Sequence, residues 1–375
     1  MKKFIMIIIN LIIILNFSMC YAKTDEPSIT AGSAILIDSN TEKILYSKNE
    51  NEKMYPASTT KILTAILAIE NCKMDDIVTV PYEAISSIPS GYSIAALQAG
   101  EQISVENLIK VLLVHSANDA ANVLAYHISG SIPQFAIKMN EKISELGLKN
   151  THFTNPSGIH DENHYTTAYD LSIIMKYAMK NPTFRALTKL KSCTIPATNK
   201  FEERVFTTTN ELLIQDNRDV ASNYYYKYAI GGKTGYTTEA KNCLVSVSNK
   251  DGLELISVIL SVGMLPNNIS GKFVETKALF NYGYDNYTII KLREKNAIAT
   301  QVIVKNGTKE TKNLDLLISN DISALVKADE MEDKFEPEIK LIDNISAPIS
   351  KGQKMRYYYL YNRWYKIYFW FISIS

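Results

Sequence analysis

Apolar and polar positions fall into blocks with different periods along this chain. Ile5 to Leu15 is an almost unbroken apolar run, interrupted by Asn10. Ser33 to Asp38 (Ser-Ala-Ile-Leu-Ile-Asp) predicts a strand, Asp38-Ser39-Asn40 is turn material, and Lys43 to Ser47 predicts the return strand of a hairpin. From Thr59 to Glu70, leucines, isoleucines and alanines recur at helical spacing. The same spacing predicts helices over Val105 to His115, over Asn118 to Ser129 with Gly130 closing it, and over Asp170 to Met179. Strand patterns return at Tyr228 to Lys233, Asn242 to Ser248 and Leu253 to Val262, with Asp251-Gly252 turning between the last two. Phe273 to Tyr284 is helical again. Strands on both sides of a helical block predict an α+β fold, an antiparallel sheet covered by helices.

After about Asn286 the pattern changes to short strand-like runs: Tyr287 to Leu292, Ala297 to Val304, Leu314 to Ser319 and Glu336 to Ile342. They predict a small β-rich second domain. A length of 375 residues also calls for more than one core. The expected division is 1–22, 23–285, 286–353 and a tail, 354–375. The first segment has Lys2 and Lys3, the apolar run, and Ser18-Met19-Cys20-Tyr21-Ala22 with small residues where a signal peptidase reads. It reads as a cleaved secretory signal, because the run is short for a bilayer; an uncleaved anchor is the alternative. The protein is therefore expected outside the cytoplasm, at the outer face of the membrane or in the cell wall or periplasm.

Composition narrows the chemistry. The formal net charge is +1 and no basic stripe is present, which excludes a nucleic-acid surface. Past the signal, Cys72, Cys193 and Cys243 are far apart and odd in number, so they form no disulfide framework, although one bridge stays open. His160 and His164 have helical metal spacing, but Gly158 and Asp161 predict a loop there. No metal and no cofactor is expected.

Three short strings carry the candidate chemistry. In Ser58-Thr59-Thr60-Lys61 a serine starts a helix and a lysine follows one turn later on the same face. The helix N-terminus adds a positive field and free N–H groups, which suits a nucleophile whose product is an oxyanion. Ser116-Ala117-Asn118 sits between two predicted helices, where a serine relays a proton and an asparagine binds an amide. Lys233-Thr234-Gly235 ends a predicted strand after Gly231-Gly232 and offers a cation and a hydroxyl to a carboxylate. Each string alone is common as a helix cap or a strand end. Their order and context together match the element set of serine β-lactamases and penicillin-binding proteins.

From about Ser33 to Tyr284, and more weakly to about Gln353, the chain resembles the low-molecular-mass penicillin-binding D-alanyl-D-alanine carboxypeptidases. The supporting strings are Tyr55-Pro56-Ala57-Ser58-Thr59-Thr60-Lys61, His115-Ser116-Ala117-Asn118-Asp119-Ala120-Ala121, Asn155-Pro156-Ser157-Gly158-Ile159-His160 with Tyr165-Thr166-Thr167-Ala168-Tyr169-Asp170, and Gly231-Gly232-Lys233-Thr234-Gly235-Tyr236-Thr237. The resemblance implies removal of the terminal D-alanine from peptidoglycan stem pentapeptides and covalent capture by β-lactams. It also implies an oxyanion hole made by the backbone N–H groups of Ser58 and Tyr236. Relatives carry an arginine near the substrate carboxylate where this chain has Gly271-Lys272, a charge without the bidentate fork.

The roles expected of these residues follow from acid–base chemistry. A serine hydroxyl needs a base. Lys61 is placed to be one, but a free lysine titrates near 10.4, and bringing it to neutrality takes about 4 kcal/mol of selective destabilisation of the cation. Burial, the helix N-terminus and a second cation, Lys233, all act that way. Lys61 is thus expected to be the neutral base and Lys233 a fixed cation. Ser116 passes the proton to the leaving D-alanine, and Asn118 holds Lys61 and the substrate amide. The peptide lies along the Lys233–Gly235 strand edge, with Lys233, Thr234 and Lys272 at its carboxylate.

Two rival functions share the motifs. A β-lactamase needs a glutamate facing the acyl ester, and the corresponding loop, Asp161-Glu162-Asn163-His164, lacks that spacing. A catalytically silent scaffold would keep the fold without the chemistry, yet every motif residue is present. The tail departs most from the family. Tyr357 to Tyr361 and Trp364 to Phe371 are heavily aromatic, with Arg356, Arg363 and Lys366 among them. Aromatics and cations suit a headgroup interface, so the tail is expected to touch a membrane surface. The alternatives are that it supplies the last strands of the β-domain, or that a shifted reading frame replaced the usual ending.

Overall fold

The computed structural model describes residues 24–215, 223–309, 312–327, 336–339, 348–350, 354–361 and 366–373, with the backbone alone for 336–339, 354–361 and 366–373. The expected signal segment lies outside the described residues. The fold divides into two compact units, and the first is Asp25–Ile289.

Five antiparallel strands form the centre of that unit: β1 (Ser33–Asp38), β2 (Ile44–Lys48), β3 (Ala229–Thr237), β4 (Lys241–Lys250) and β5 (Leu253–Val262), in the order β2-β1-β5-β4-β3. β1 is buried along its whole length, which requires cover on both faces. Ile35, Ile37, Val245, Val247, Ile256 and Val258 share the main core with the helical block. That block comprises α1 (Lys61–Asn71), α2 (Tyr82–Ser86), α3 (Val105–Val114), α4 (Asn118–Ser129), α5 (Ile132–Glu145), α6 (Ala168–Met179) and α7 (Pro182–Thr188). α8 (Gly271–Asn286) packs on β4 and β5, and a Cβ at its Gly283 would meet Leu36 and Leu255 at 3.0 and 2.6 Å.

Most predicted elements appear within a residue or two, and the differences have physical causes. The nucleophile string does not open the α-helix. Ala57–Thr60 is a separate 3₁₀ turn, and α1 starts at Lys61. The strand predicted to end at Lys233 runs on to Thr237, because eight residues of β4 pair with it as far as Lys241↔Thr237 and override the poor strand propensity of Gly231, Gly232 and Gly235. Helix α5 follows from a start signal not read in advance, Ser131 capping Gln134 N with Pro133 in the first turn. The three cysteines are free, so the open question of a bridge closes.

β6 (Tyr287–Arg293) runs across the boundary into the second unit, which carries β7 (Ile298–Ile303), β8 (Asn313–Ile318), β9 (Ile322–Lys327), β10 (Glu336–Ile339), β11 (Lys354–Tyr361) and β12 (Lys366–Ser373). β6 pairs with β9, and the others form a sheet in the order β7-β8-β12-β11-β10. The division expected after Gln353 does not appear in this pairing. β11 and β12 are a hairpin, with Tyr359 opposite Tyr368 and Tyr357 opposite Trp370, and β12 also pairs with β8. The tail thus supplies strands of the sheet. Aromatic residues are strand formers, and β12 pairs with β11 along most of its length and with β8 over Phe371–Ser373.

Candidate active site

Ser58 sits in a turn held from several directions. Ala57, just before it, adopts φ 48°, a left-handed conformation that costs a non-glycine residue about 1 kcal/mol or more. Thr59 Oγ1 donates to Pro56 O (2.7 Å) and Thr60 Oγ1 to Ala57 O (2.9 Å). Gly158 backs the turn. Its φ is +80°, and a Cβ there would lie 1.9 Å from Ala57 O, so only glycine fits.

Lys61 is fully buried, and its Nζ has three oxygens around it: Ser58 Oγ at 2.8 Å, Asn118 Oδ1 at 2.9 Å and Ser157 O at 2.6 Å. The Ser157 carbonyl is presented by a turn in which Asn155 Oδ1 accepts from Ser157 N, Ser157 Oγ and Gly158 N. Asn118 has its amide orientation set, since Nδ2 donates to Ser93 O at 2.8 Å, leaving Oδ1 to face Lys61. Ser116 lies between α3 and α4 as expected, with φ 66°, a second left-handed non-glycine position at the site.

β3 is the edge strand of the central sheet and brings the third motif against this turn. A Cβ on Gly235 would lie 2.9 Å from Pro56 O and 3.0 Å from Ser58 N, so the strand approaches the nucleophile at backbone distance. Lys233 is 1% exposed and its Nζ donates to Thr234 O at 2.9 Å. Thr234 Oγ1 is 2.6 Å from Thr209 Oγ1. Lys272, at the start of α8, donates to Asn242 Oδ1 at 3.2 Å, and Asn242 is the register partner of Tyr236. Tyr236 itself is largely exposed.

These residues border one cavity of about 490 Å³, with Ser58, Ser116, Asn118, Thr209, Thr234, Gly235, Tyr236 and Lys272 in its wall. Lys61 and Lys233 lie behind the wall. No aspartate, glutamate or histidine among the described residues lines it.

The lysines have different electrostatics. Burial first, and then the charge of Lys233, push Lys61 well below the ordinary lysine value, with Asp119 opposing. Burial, and then Lys272, bring Lys233 down to about 7. Lys272 is lowered too, by burial. Both lysines are thus pushed toward the neutral form, and Lys233 titrates near neutrality in the free protein.

That has a consequence for stability. The unfolded chain carries a proton on residue 233 up to about 10.4, while the folded one releases it near 7. Between those values the unfolded state binds more protons, so this group makes stability rise with pH. At pH 7 the penalty is on the order of 4 kcal/mol. Lys233→Met should melt several degrees higher than the parent at pH 7, and the gap should close as pH approaches about 10. A gap that stays constant with pH in thermal denaturation would contradict the burial of a depressed lysine.

Residues outside the motifs also build the site. Asp119 accepts from Ala95 N (2.9 Å) and Leu97 N (3.0 Å), fixing the loop that carries Ser93. His164 is buried, with burial bringing it down to about 3, so it is neutral. Its Nδ1 accepts from Thr154 N, which leaves Nε2–H to donate to Thr60 Oγ1 at 2.8 Å. His160 instead packs edge-on against Tyr55. The two histidines of the helical metal spacing thus stand in different environments, in a loop. Thr209 and His164 act through tertiary contacts, which local strings do not announce.

A serine on a strained turn, a buried lysine with a depressed pKa and a cationic strand edge define a serine acyl-transfer site. Comparison with known proteins agrees. Residues 21–263 match the family profile D-alanyl-D-alanine carboxypeptidase, and residues 287–362 match the C-terminal domain of penicillin-binding protein 5. The chain is 35% identical over 368 residues to D-alanyl-D-alanine carboxypeptidase DacF of Bacillus subtilis, covering 95% of this chain and 89% of that one. It is 32% identical to DacA of Haemophilus influenzae over 335 residues, 87% of this chain and 80% of the relative. The crystal structure of penicillin-binding protein 5 from Haemophilus influenzae superposes with a TM-score of 0.73 at 28% identity, covering 94% of this chain and 98% of that one. The chain belongs to the D-alanyl-D-alanine carboxypeptidase family and is a serine peptidase, with the α+β penicillin-binding fold and a C-terminal β-domain.

Proposed function

We propose that the chain removes the terminal D-alanine from peptidoglycan stem pentapeptides outside the cytoplasm, through an ester on Ser58, and that β-lactams capture the same residue. The observation that carries this is the surroundings of Lys61 Nζ. A neutral amine has two hydrogens and one lone pair. Asn118 Oδ1 and Ser157 O are pure acceptors, so they take the hydrogens, and the lone pair faces Ser58 O–H.

Ser58 Oγ attacks the penultimate residue's carbonyl carbon while its proton passes to Lys61. The oxyanion is held by the N–H groups of Ser58 and Tyr236. The C–N bond breaks, and the proton reaches the leaving amine by way of Ser116. Water then hydrolyses the ester. Lys233, Thr234 and Lys272 take the terminal carboxylate, and the incoming anion raises Lys233 above its free value, so Lys233 is a cation completed by substrate rather than a permanent one. Asn118 holds the acyl-side amide, with the peptide along the β3 edge. Intact mass after penicillin should show one adduct, mapped to the peptide containing Ser58. An adduct elsewhere would overturn the assignment.

A second proposal concerns residues 354–375 and a membrane surface. Facing pairs such as Tyr357 and Trp370, or Tyr358 and Phe369, concentrate interfacial residues on one hairpin with Arg356 and Lys366. No helix among the described residues is long and apolar enough to cross a membrane. The mature protein should float with anionic vesicles. Equal flotation after replacing Arg356, Arg363 and Lys366 by serine would count against this contact.

A further inference from the structure

A series of hydrogen bonds reaches the back of the nucleophile turn from a residue outside the cavity wall. The Ala57 carbonyl and the Ser58 N–H belong to one planar peptide unit and point in opposite directions, so fixing the carbonyl fixes the N–H. Thr60 Oγ1 donates to Ala57 O at 2.9 Å, and His164 Nε2–H donates to Thr60 Oγ1 at 2.8 Å. The far end of the series sets its direction. Thr154 N donates to His164 Nδ1 at 3.0 Å, and Thr154 Oγ1 and Asn155 Nδ2 stand 3.3 and 3.4 Å from the same nitrogen. A backbone N–H cannot accept, so Nδ1 carries no hydrogen and Nε2 carries one. Thr60 Oγ1 accepts it and turns its own single hydrogen to Ala57 O. Phe153 stacks on the imidazole, with centroids 4.7 Å apart and planes 12° from parallel, and holds the ring in that plane. Thr60 and His164 are both buried, so the series runs out of reach of bulk solvent.

Neither His164 nor Thr60 is in the cavity wall. Resting on the proposed reaction, the Ser58 N–H is one of the two donors to the oxyanion. We infer that His164 and Thr60 are positioning residues for that donor: they clamp the Ala57–Ser58 peptide from behind and strengthen its N–H. The clamp is needed because Ala57 has φ 48°, and strain of that kind persists only where the surroundings over-determine it. Gly158 closes on the same carbonyl, since a Cβ there would lie 1.9 Å from Ala57 O and 2.9 Å from Thr60 Oγ1. The strengthening follows from polarisation. A peptide whose carbonyl accepts a hydrogen bond is a better donor at its N–H, and in a buried series each bond reinforces the next. The oxyanion exists only in the tetrahedral intermediate and its flanking transition states, so the series acts on the rate of acylation and not on the affinity for substrate.

The test uses the mature chain with two readouts, D-alanine release from a stem pentapeptide and the rate of acylation by penicillin. Thr60→Val keeps the shape of the side chain and removes the hydroxyl. His164→Leu removes the ring, and His164→Gln returns an N–H donor near the Nε2 position. Thr60→Val and His164→Leu should each lower kcat and the acylation rate about tenfold, part of what loss of a whole oxyanion donor costs. KM should stay within about twofold, the mark of an interaction made only in the transition state. His164→Gln should recover most of the loss, which a role in packing alone does not explain. Thr60→Val/His164→Leu should be slower than the slower single variant by no more than about twofold, since both changes cut one series. Parental rates in Thr60→Val, losses that multiply in the double variant, or a glutamine variant as slow as the leucine one would overturn the inference. If His164→Leu does not fold, Thr60→Val and His164→Gln decide by the same rates. Absence of D-alanine release in the parent would overturn the proposed reaction alone, because penicillin acylation forms the same oxyanion and still reads the series.

Discussion

Ser58→Ala is expected to abolish penicillin labelling and to cut D-alanine release by about a millionfold, the scale on which serine hydrolases depend on their nucleophile. Lys61→Ala should lose acylation as completely, because no aspartate, glutamate or histidine among the described residues lines the cavity to take over as base. Both variants should keep the native circular dichroism. Lys61 contributes a desolvated amine whose charged form the fold opposes, so its removal does not unbalance an ion pair. Labelling that persists in Ser58→Ala would move the nucleophile elsewhere, with Ser116 the first serine to examine since it lines the same cavity.

Gly235→Ala is expected to cost on the order of 10² to 10³ in kcat while leaving the protein folded. The added Cβ would sit 3.0 Å from Ser58 N, 2.9 Å from Pro56 O and 3.1 Å from Ala57 Cβ. Neither backbone atom belongs to a flexible group that swings aside, so β3 must retreat from the nucleophile turn by a few tenths of an ångström. The retreat separates the N–H of Tyr236 from that of Ser58, the two donors assigned to the oxyanion. Penicillin acylation and D-alanine release should fall together, since both pass through a tetrahedral intermediate. Unimpaired acylation in this variant would mean that the strand and the turn do not jointly form the oxyanion site.

The side chains gathered at the cavity were legible in the sequence because each belongs to a short string: Ser58 and Lys61 one turn apart, Ser116 and Asn118 between helices, and Lys233 to Gly235 after two glycines. What those strings could not show is the third oxygen on Lys61. It is the Ser157 carbonyl, a group every residue possesses, and it is aimed by Asn155 and by the glycine conformation at 158. His164 was legible only as half of a helical metal spacing. Its actual partner, Thr60, is 104 positions away, and nothing local links them. The pattern predicts the motif strand only as far as Lys233, whereas the ladder with β4 carries it to Thr237. In the tail, aromatics crowd successive positions, so no period of two stands out in the sequence, and its strands emerge only from the pairing of β11 with β12.

On the proposed function, the site hydrolyses a D-alanyl-D-alanine bond through an acyl-enzyme that β-lactams merely occupy. Timed release of D-alanine from a stem pentapeptide, run beside turnover of a chromogenic β-lactam with the same preparation, tests it most directly. Repeated turnover of the peptide with one slow equivalent of β-lactam consumed is the result expected, since the amine freed from a β-lactam ring stays tethered beside the ester where departing D-alanine leaves room for water, and no carboxylate among the described residues lines the cavity to offset that. β-Lactam hydrolysis as fast as peptide hydrolysis, or β-lactam turnover with no D-alanine released, would contradict it.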